Sequence, residues 1–209
     1  MSGYVATVIG TDHGLEGVAA NVTIPANCNL FLLCLGIDNE FSTTEISLDG
    51  SALTEVTGSY AFNGTSAVKM LYVINKAQGT YELITNTNQS GGWVCVYIGL
   101  ALPSAGWAVG AAAMEDGSPT NSLVVSGTTV GQLLISSICH ASADLAVSTD
   151  LTAIIATETG SGGGELRVAS GYVVDADPLI GWQYGGVIKT FNAVAIQGNS
   201  PTSVGIFYF

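Results

Sequence analysis

The stretch from Ile46 to Leu83 constrains the fold more than any other part of the chain. Ile46-Ser47-Leu48-Asp49-Gly50-Ser51-Ala52-Leu53-Thr54-Glu55-Val56 reads as two short strands joined by an Asp-Gly turn. Asp-Gly tolerates the positive φ angles that a tight hairpin needs. Val68-Lys69-Met70-Leu71-Tyr72-Val73-Ile74-Asn75 follows, then the break Lys76-Ala77-Gln78-Gly79, then Thr80-Tyr81-Glu82-Leu83-Ile84. Short apolar runs punctuated by turn residues are antiparallel β grammar, and the rest of the chain repeats it.

Val18 to Ile24 reads as a strand ended by Pro25, and Leu30 to Leu35 as a central strand buried on both faces. Trp93 to Leu102, Leu123 to Val125, Gly131 to Cys139, Leu151 to Ala156, Glu165 to Val174 and Ile188 to Gln197 continue the series. Tyr4 to Ile9 is expected to open the chain as a strand, with Gly10 to Gly17 as a loop. Trp182 to Gly186 leads into the strand from Ile188, and Ser203 to Phe209 closes the chain. Pro103 to Pro119 reads as an irregular Ala/Gly-rich connection, with at most a helical turn near Ala105 to Met114. That makes roughly a dozen strands at about 8–15-residue spacing, the cadence of a sandwich or jelly roll. The expectation is a single all-β domain over residues 1–209, an antiparallel two-sheet β-sandwich that is jelly-roll-like. No repeat of fixed period stands out.

Charge narrows the function. Lys and Arg total 4 against 16 Asp and Glu, and charged residues make up 10% of the 209-residue chain, where roughly 25% is ordinary. A chain 48% hydrophobic with so little charge is expected to bury surface against copies of itself or a partner. Lys69, Lys76, Arg167 and Lys189 are too few to neutralise a phosphate backbone, so nucleic acid is not an expected partner. Cys34, Cys95 and Cys139 lie in apolar runs and, with Cys28, read as free thiols. The start Met1-Ser2-Gly3-Tyr4-Val5-Ala6-Thr7 lacks a secretory signal pattern, which points to synthesis in a cytoplasm. The uncharged window Trp93 to Met114 is broken by Pro103, Ser104 and Gly106, so no membrane span is expected.

Chemistry-bearing residues are sparse. His13 sits with Asp12 and Glu16; His140 adjoins Cys139, which on a strand places the two on opposite faces. A Gly-x-Ser-x-Gly elbow is absent, and Gly160-Ser161-Gly162 lacks its spacing. Glu158 and Glu165 flank a glycine loop and are the pair a glycoside hydrolase would use. Asp175-Ala176-Asp177 and Glu115-Asp116-Gly117 offer carboxylates but not the EF-hand spacing for calcium. No catalytic, cofactor or metal residue is therefore assigned. Trp93 heads a core strand, whereas Trp107 and Trp182 fall in loops; with Tyr184, Phe207 and Phe209 they are candidates for a subunit contact or for stacking on a glycan.

The central part resembles a recurrent β-sandwich domain of phage virion structural and decoration proteins and of bacterial surface proteins. The hairpin Ile46 to Val56 is similar to that family's V-x-x-x-G-x-x-L-T-x-V. Val68 to Leu83 is similar to its strand–turn–strand ending N-x-x-x-G-x-x-x-V, and Phe191-Asn192-Ala193-Val194-Ala195-Ile196 to its terminal strand. The match covers Thr44 to Leu102 well and the rest loosely. The acidic turn that often follows in the family is missing after Leu102-Pro103, and Ser203 to Phe209 is additional. The resemblance implies a non-enzymatic virion protein, a capsid decoration or cement protein that assembles as a homotrimer and binds a major capsid protein. The alternatives are a glycan-binding tail or adhesion module and a glycoside hydrolase.

Overall fold

The computed structural model describes residues 6–14, 18–38, 45–64, 66–86, 93–101, 107–116, 122–140, 145–147, 151–159, 165–174, 178–184 and 190–198. These residues are all-β, in four antiparallel sheets. The first inner sheet runs in the order β1 (Thr7–Gly14), β10 (Trp93–Leu100), β3 (Leu30–Asp38), β8 (Ser66–Ile74), β6 (Thr54–Glu55), with β7 (Ala61–Phe62) also pairing β8. The first outer sheet is β2 (Val18–Ile24), β9 (Gly79–Asn86), β4 (Glu45–Leu48), β5 (Ser51–Ala52). The second inner sheet is β11 (Trp107–Asp116), β18 (Thr190–Gly198), β13 (Leu133–His140), β16 (Glu165–Tyr172), β15 (Leu151–Thr159). The second outer sheet is β12 (Ser122–Val124), β17 (Leu179–Tyr184), β14 (Leu145–Val147).

Strand periodicity stacks these sheets. Phe31, Leu33, Leu35 and Ile37 of β3 face the first outer sheet and meet Val22, Ile24, Ile46, Leu48 and Leu83. Leu30, Leu32 and Cys34 point the other way, into a core shared with Leu133, Ile135, Val168, Val194 and Ile196. Leu134, Ile138, Phe191, Ala193 and Ala195 form a third core with Leu123, Ile180 and Trp182 of the second outer sheet. The layers are thus outer, inner, inner, outer. An inner strand is buried on both faces, which is why its sequence is continuously apolar rather than alternating. The sequence expectation of an all-β antiparallel sandwich holds; the expectation of two sheets undercounts, because there are four.

The two halves repeat one strand order. The inner path β1-β10-β3-β8 corresponds in chain order to β11-β18-β13-β16, and the outer path β2-β9-β4 to β12-β17-β14. The correspondence reaches individual residues. Leu30 pairs with Ile74 and Leu100, as Leu133 pairs with Tyr172 and Ile196. Just beyond each, the Asn75 N–H donates to the Asn29 carbonyl (2.8 Å) and the Val173 N–H to the Gln132 carbonyl (2.9 Å). Both first strands shift register, between Val8 and Gly10 and between Val109 and Ala112. The halves share connectivity rather than sequence, which is why no period is visible in the chain.

The hairpin that opens the sequence argument forms as expected. Asp49 and Gly50 take φ of 55° and 71°, and Leu48 pairs with Ser51, the positive angles of a type I′ turn. Two expectations are corrected. β1 continues through Asp12 and His13 to Gly14, where a loop was expected, because it pairs with β10 as far as Trp93. Its glycines serve close approach: a Cβ at Gly10 would lie 3.0 Å from the Tyr97 ring and one at Gly14 2.8 Å from Trp93. The segment from Trp107 is likewise a ten-residue strand, not an irregular link or a helical turn. Ala and Gly have weak β preference, but pairing with β18 decides the outcome.

Buried polar groups lock the halves across the shared core. The Asn192 side-chain amide donates to the Ser59 carbonyl (2.6 Å), and Asn192 Oδ1 accepts from the Ser137 hydroxyl (2.6 Å). Ser66 and Thr190 exchange a hydroxyl hydrogen bond of 2.8 Å, and the Thr190 hydroxyl lies 3.1 Å from the Ser66 carbonyl. Asn192 and Thr190 are fully buried, and a buried polar group this far from water needs such partners.

Candidate functional site

Among the described residues, chemistry-bearing side chains meet at the edge between the inner sheets. His13 Nδ1 and Glu158 Oε1 are 2.7 Å apart although 145 residues separate them in sequence. The register explains the meeting. Asp12 pairs with Cys95 and shares its face, toward the first outer sheet; His13 pairs with Val94 and takes the opposite face, toward β15. Glu158 pairs with Leu166, a residue of the shared core, so it faces back toward β1. The His13 backbone N–H also donates to the Asp12 carboxylate at 2.8 Å.

On the other face of β1, the Cys95 thiol donates to the Asp12 carbonyl at 3.5 Å. Burial pushes the Cys95 thiol up, so it stays protonated near neutral pH. The Tyr97 hydroxyl is buried beside Cys95 and Asp12. Burial, then the neighbouring Cys95 and Asp12, push it above the usual phenol range. His13 and Cys95 therefore stand on opposite sides of one sheet and do not form a nucleophile–base pair, which requires hydrogen-bond reach. What the His13–Glu158 contact does chemically is clasp β1 to β15. His13 is 47% exposed, so its contribution is that of a surface pair, about 0.5 kcal/mol. Replacing Glu158 with Gln is expected to cost less than about 1 kcal/mol at pH 6, measured by urea unfolding; a loss several times larger would contradict the clasp reading.

The remaining candidates sort as follows. Glu158 and Glu165 do not face each other: Thr159, not Glu158, pairs with Glu165, so the two carboxylates point to opposite faces. Glu165 is ion-paired with Arg167 instead. Trp182 does not lie in a loop: it is in β17, paired with Val147, and fully buried. Its indole N–H donates to the Ser136 hydroxyl at 2.9 Å. A ring with no exposed face stacks on no sugar and touches no partner, so Trp182 is a core residue. Trp107 opens β11, opposite Gly198, and Tyr184 ends β17, opposite Leu145; Phe207 and Phe209 lie outside the described residues, as do Asp175 and Asp177. Trp93 is fully buried, as expected. Among the described residues no group of three or more His, Cys, Asp or Glu is gathered. Lys69 pairs with Glu55 (3.0 Å), and Lys76 lies over the Tyr81 ring (4.4 Å), so the described cations are engaged one by one.

The four cysteines are free. Cys34, Cys95 and Cys139 are buried and Cys28 is half-buried, with burial pushing the Cys28 and Cys34 thiols up. A thiol reagent is expected to titrate Cys28 alone in the native protein within minutes and all four after denaturation; rapid reaction of two or more native thiols would contradict this packing.

No family model, curated protein or solved structure matches the chain.

Proposed function

We propose that this chain is a non-enzymatic structural protein of a virus particle, a capsid decoration (cement) protein. The observation that carries the reading is the duplicated connectivity. In each half the first and last strands are neighbours in the inner sheet, and the chain crosses repeatedly between the inner and outer sheets. We read each half as a jelly roll, an architecture that recurs in viral capsid and lectin domains. The lectin branch loses its best stacking candidate with the burial of Trp182. Two sandwiches fused through one core and locked by buried hydrogen bonds make a stiff block, which is what bridging shell subunits demands. The virion resemblance of the Ile46 to Leu83 region and the low charge of the chain support the same reading.

In this role the protein is made in the host cytoplasm, assembles as a homotrimer and binds a major capsid protein. It stabilises the shell because it binds the assembled state alone. At a free concentration a hundred times Kd, that linkage contributes about 2.7 kcal/mol per site. Saturating protein is expected to bind purified capsids and raise their melting temperature. A melting curve unchanged by saturating protein would overturn the proposal.

A further inference from the structure

The buried lock between the sandwiches comes to the surface at Asn63, just beyond β7. The Asn63 side chain ties this turn to the start of β8. Its Oδ1 accepts from the Ser66 N–H at 2.8 Å, and its Nδ2 donates to the Ser66 hydroxyl at 3.2 Å. The Asn63 N–H donates to the Ser66 carbonyl at 3.1 Å. Behind Ser66 stands Thr190 of β18, fully buried. The Thr190 hydroxyl donates to the Ser66 carbonyl, which commits its single proton. The Ser66 hydroxyl is therefore the donor of the 2.8 Å bond between the two side chains. The polar chain thus has one direction, from the Asn63 amide through the Ser66 hydroxyl to Thr190.

Among the asparagines of the chain, Asn63 alone is followed by glycine. Gly64 is exposed, takes a φ of 90° and has nothing within 4 Å of where a Cβ would stand. With no Cβ, its nitrogen can approach the preceding carboxamide unhindered. The Ser66 N–H, aimed at Oδ1, is placed to stabilise the oxyanion that forms when that carboxamide is attacked. We propose that Asn63 is a deamidation site and that its conversion unlocks Ser66 from Thr190. The Gly64 nitrogen attacks Cγ of Asn63 and gives up its proton to water. The bond from Cγ to Nδ2 breaks, and ammonia leaves with a proton taken from water. Water then opens the cyclic imide to aspartate or isoaspartate at position 63. Either product carries a carboxylate that accepts hydrogen bonds and donates none. The Ser66 hydroxyl has one proton, for which the carboxylate and Thr190 now compete. Isoaspartate also lengthens the backbone of the turn by one atom.

The test begins with the full native chain held at mildly alkaline pH for several weeks and mapped by peptide mass spectrometry. Conversion at Asn63, with isoaspartate among the products, is expected to outrun conversion at every other asparagine. An Asn63 that stays intact, or converts no faster than the rest, overturns the proposal. The unlocking is read from the melting temperature of Asn63→Asp, made in the parent and in a Thr190→Val background. Thr190→Val has already lost the hydroxyl, so Asn63→Asp is expected to lower the melting temperature much less there than in the parent. Equal shifts would mean that the change stops at the turn, and would overturn the unlocking. If Thr190→Val does not fold, hydrogen exchange at the Thr190 amide of Asn63→Asp decides instead. Faster exchange than in the parent is expected, and unchanged exchange overturns the unlocking.

Discussion

Trp182→Ala is expected to lower the unfolding free energy by about 3–5 kcal/mol, the range for deleting a buried aromatic ring. Trp182 is among the largest fully buried side chains and packs in the third core with Ile180, Phe191 and Leu134. Its loss removes the ring and also a hydrogen bond. Ser136 accepts from the indole (2.9 Å) while donating to the Asn192 carbonyl (2.7 Å), so its hydroxyl loses one of two partners. Trp182→Phe keeps most of the apolar contact and is expected to cost about 1 kcal/mol from the hydrogen bond, with some added loss of packing. Chemical denaturation measures both. A Trp182→Ala variant within 1 kcal/mol of the parent would contradict the buried placement.

Asn192→Leu is expected to cost about 3 kcal/mol or more, although leucine is apolar and of similar size. The substitution leaves the Ser59 carbonyl without its amide donor and the Ser137 hydroxyl without its acceptor. Each orphaned buried group costs about 1–3 kcal/mol. Ser59 is tied in turn to β8, where its hydroxyl accepts from the Met70 N–H at 3.1 Å. The effect therefore crosses from the second sandwich to the first. Native-state hydrogen exchange checks this: faster exchange at Met70 as well as in β18 is expected. A change confined to β18 would mean the bond does not couple the halves.

Much of the strand pattern was legible because it depends on neighbours in sequence. Val18 to Ile24 was read with its observed boundaries, since Pro25 ends it and β-branched residues fill it. The Asp49-Gly50 turn was legible because few other dipeptides take two positive φ angles cheaply. What escaped depends on partners far along the chain. Gly10 and Gly14 look like loop residues until Tyr97 and Trp93 are seen against them. Trp107 and Trp182 looked like loop aromatics because glycines surround them, yet both belong to paired strands. His13 and Glu158 were each visible as candidates, but nothing local announces that β1 and β15 lie side by side. The duplication was hidden for a further reason. Sandwich sheets ask only for apolar side chains at matched strand positions, and Leu-Phe-Leu-Leu-Cys satisfies that demand as well as Leu-Leu-Ile-Ser-Ser.

The central structural claim is that the two sandwiches form one block through a shared core and its buried hydrogen bonds. Trp93 reports from the first sandwich and Trp182 from the second. The decisive measurement is equilibrium urea unfolding followed by fluorescence in two variants, Trp93→Phe and Trp182→Phe, each combined with Trp107→Phe so that one of the three tryptophans remains, and each against whole-molecule circular dichroism. In each variant the remaining tryptophan signal and the dichroism should change together, in a single transition with one midpoint. A tryptophan transition displaced from the dichroism midpoint, or a biphasic dichroism curve, would mean that the sandwiches unfold separately and would contradict the claim.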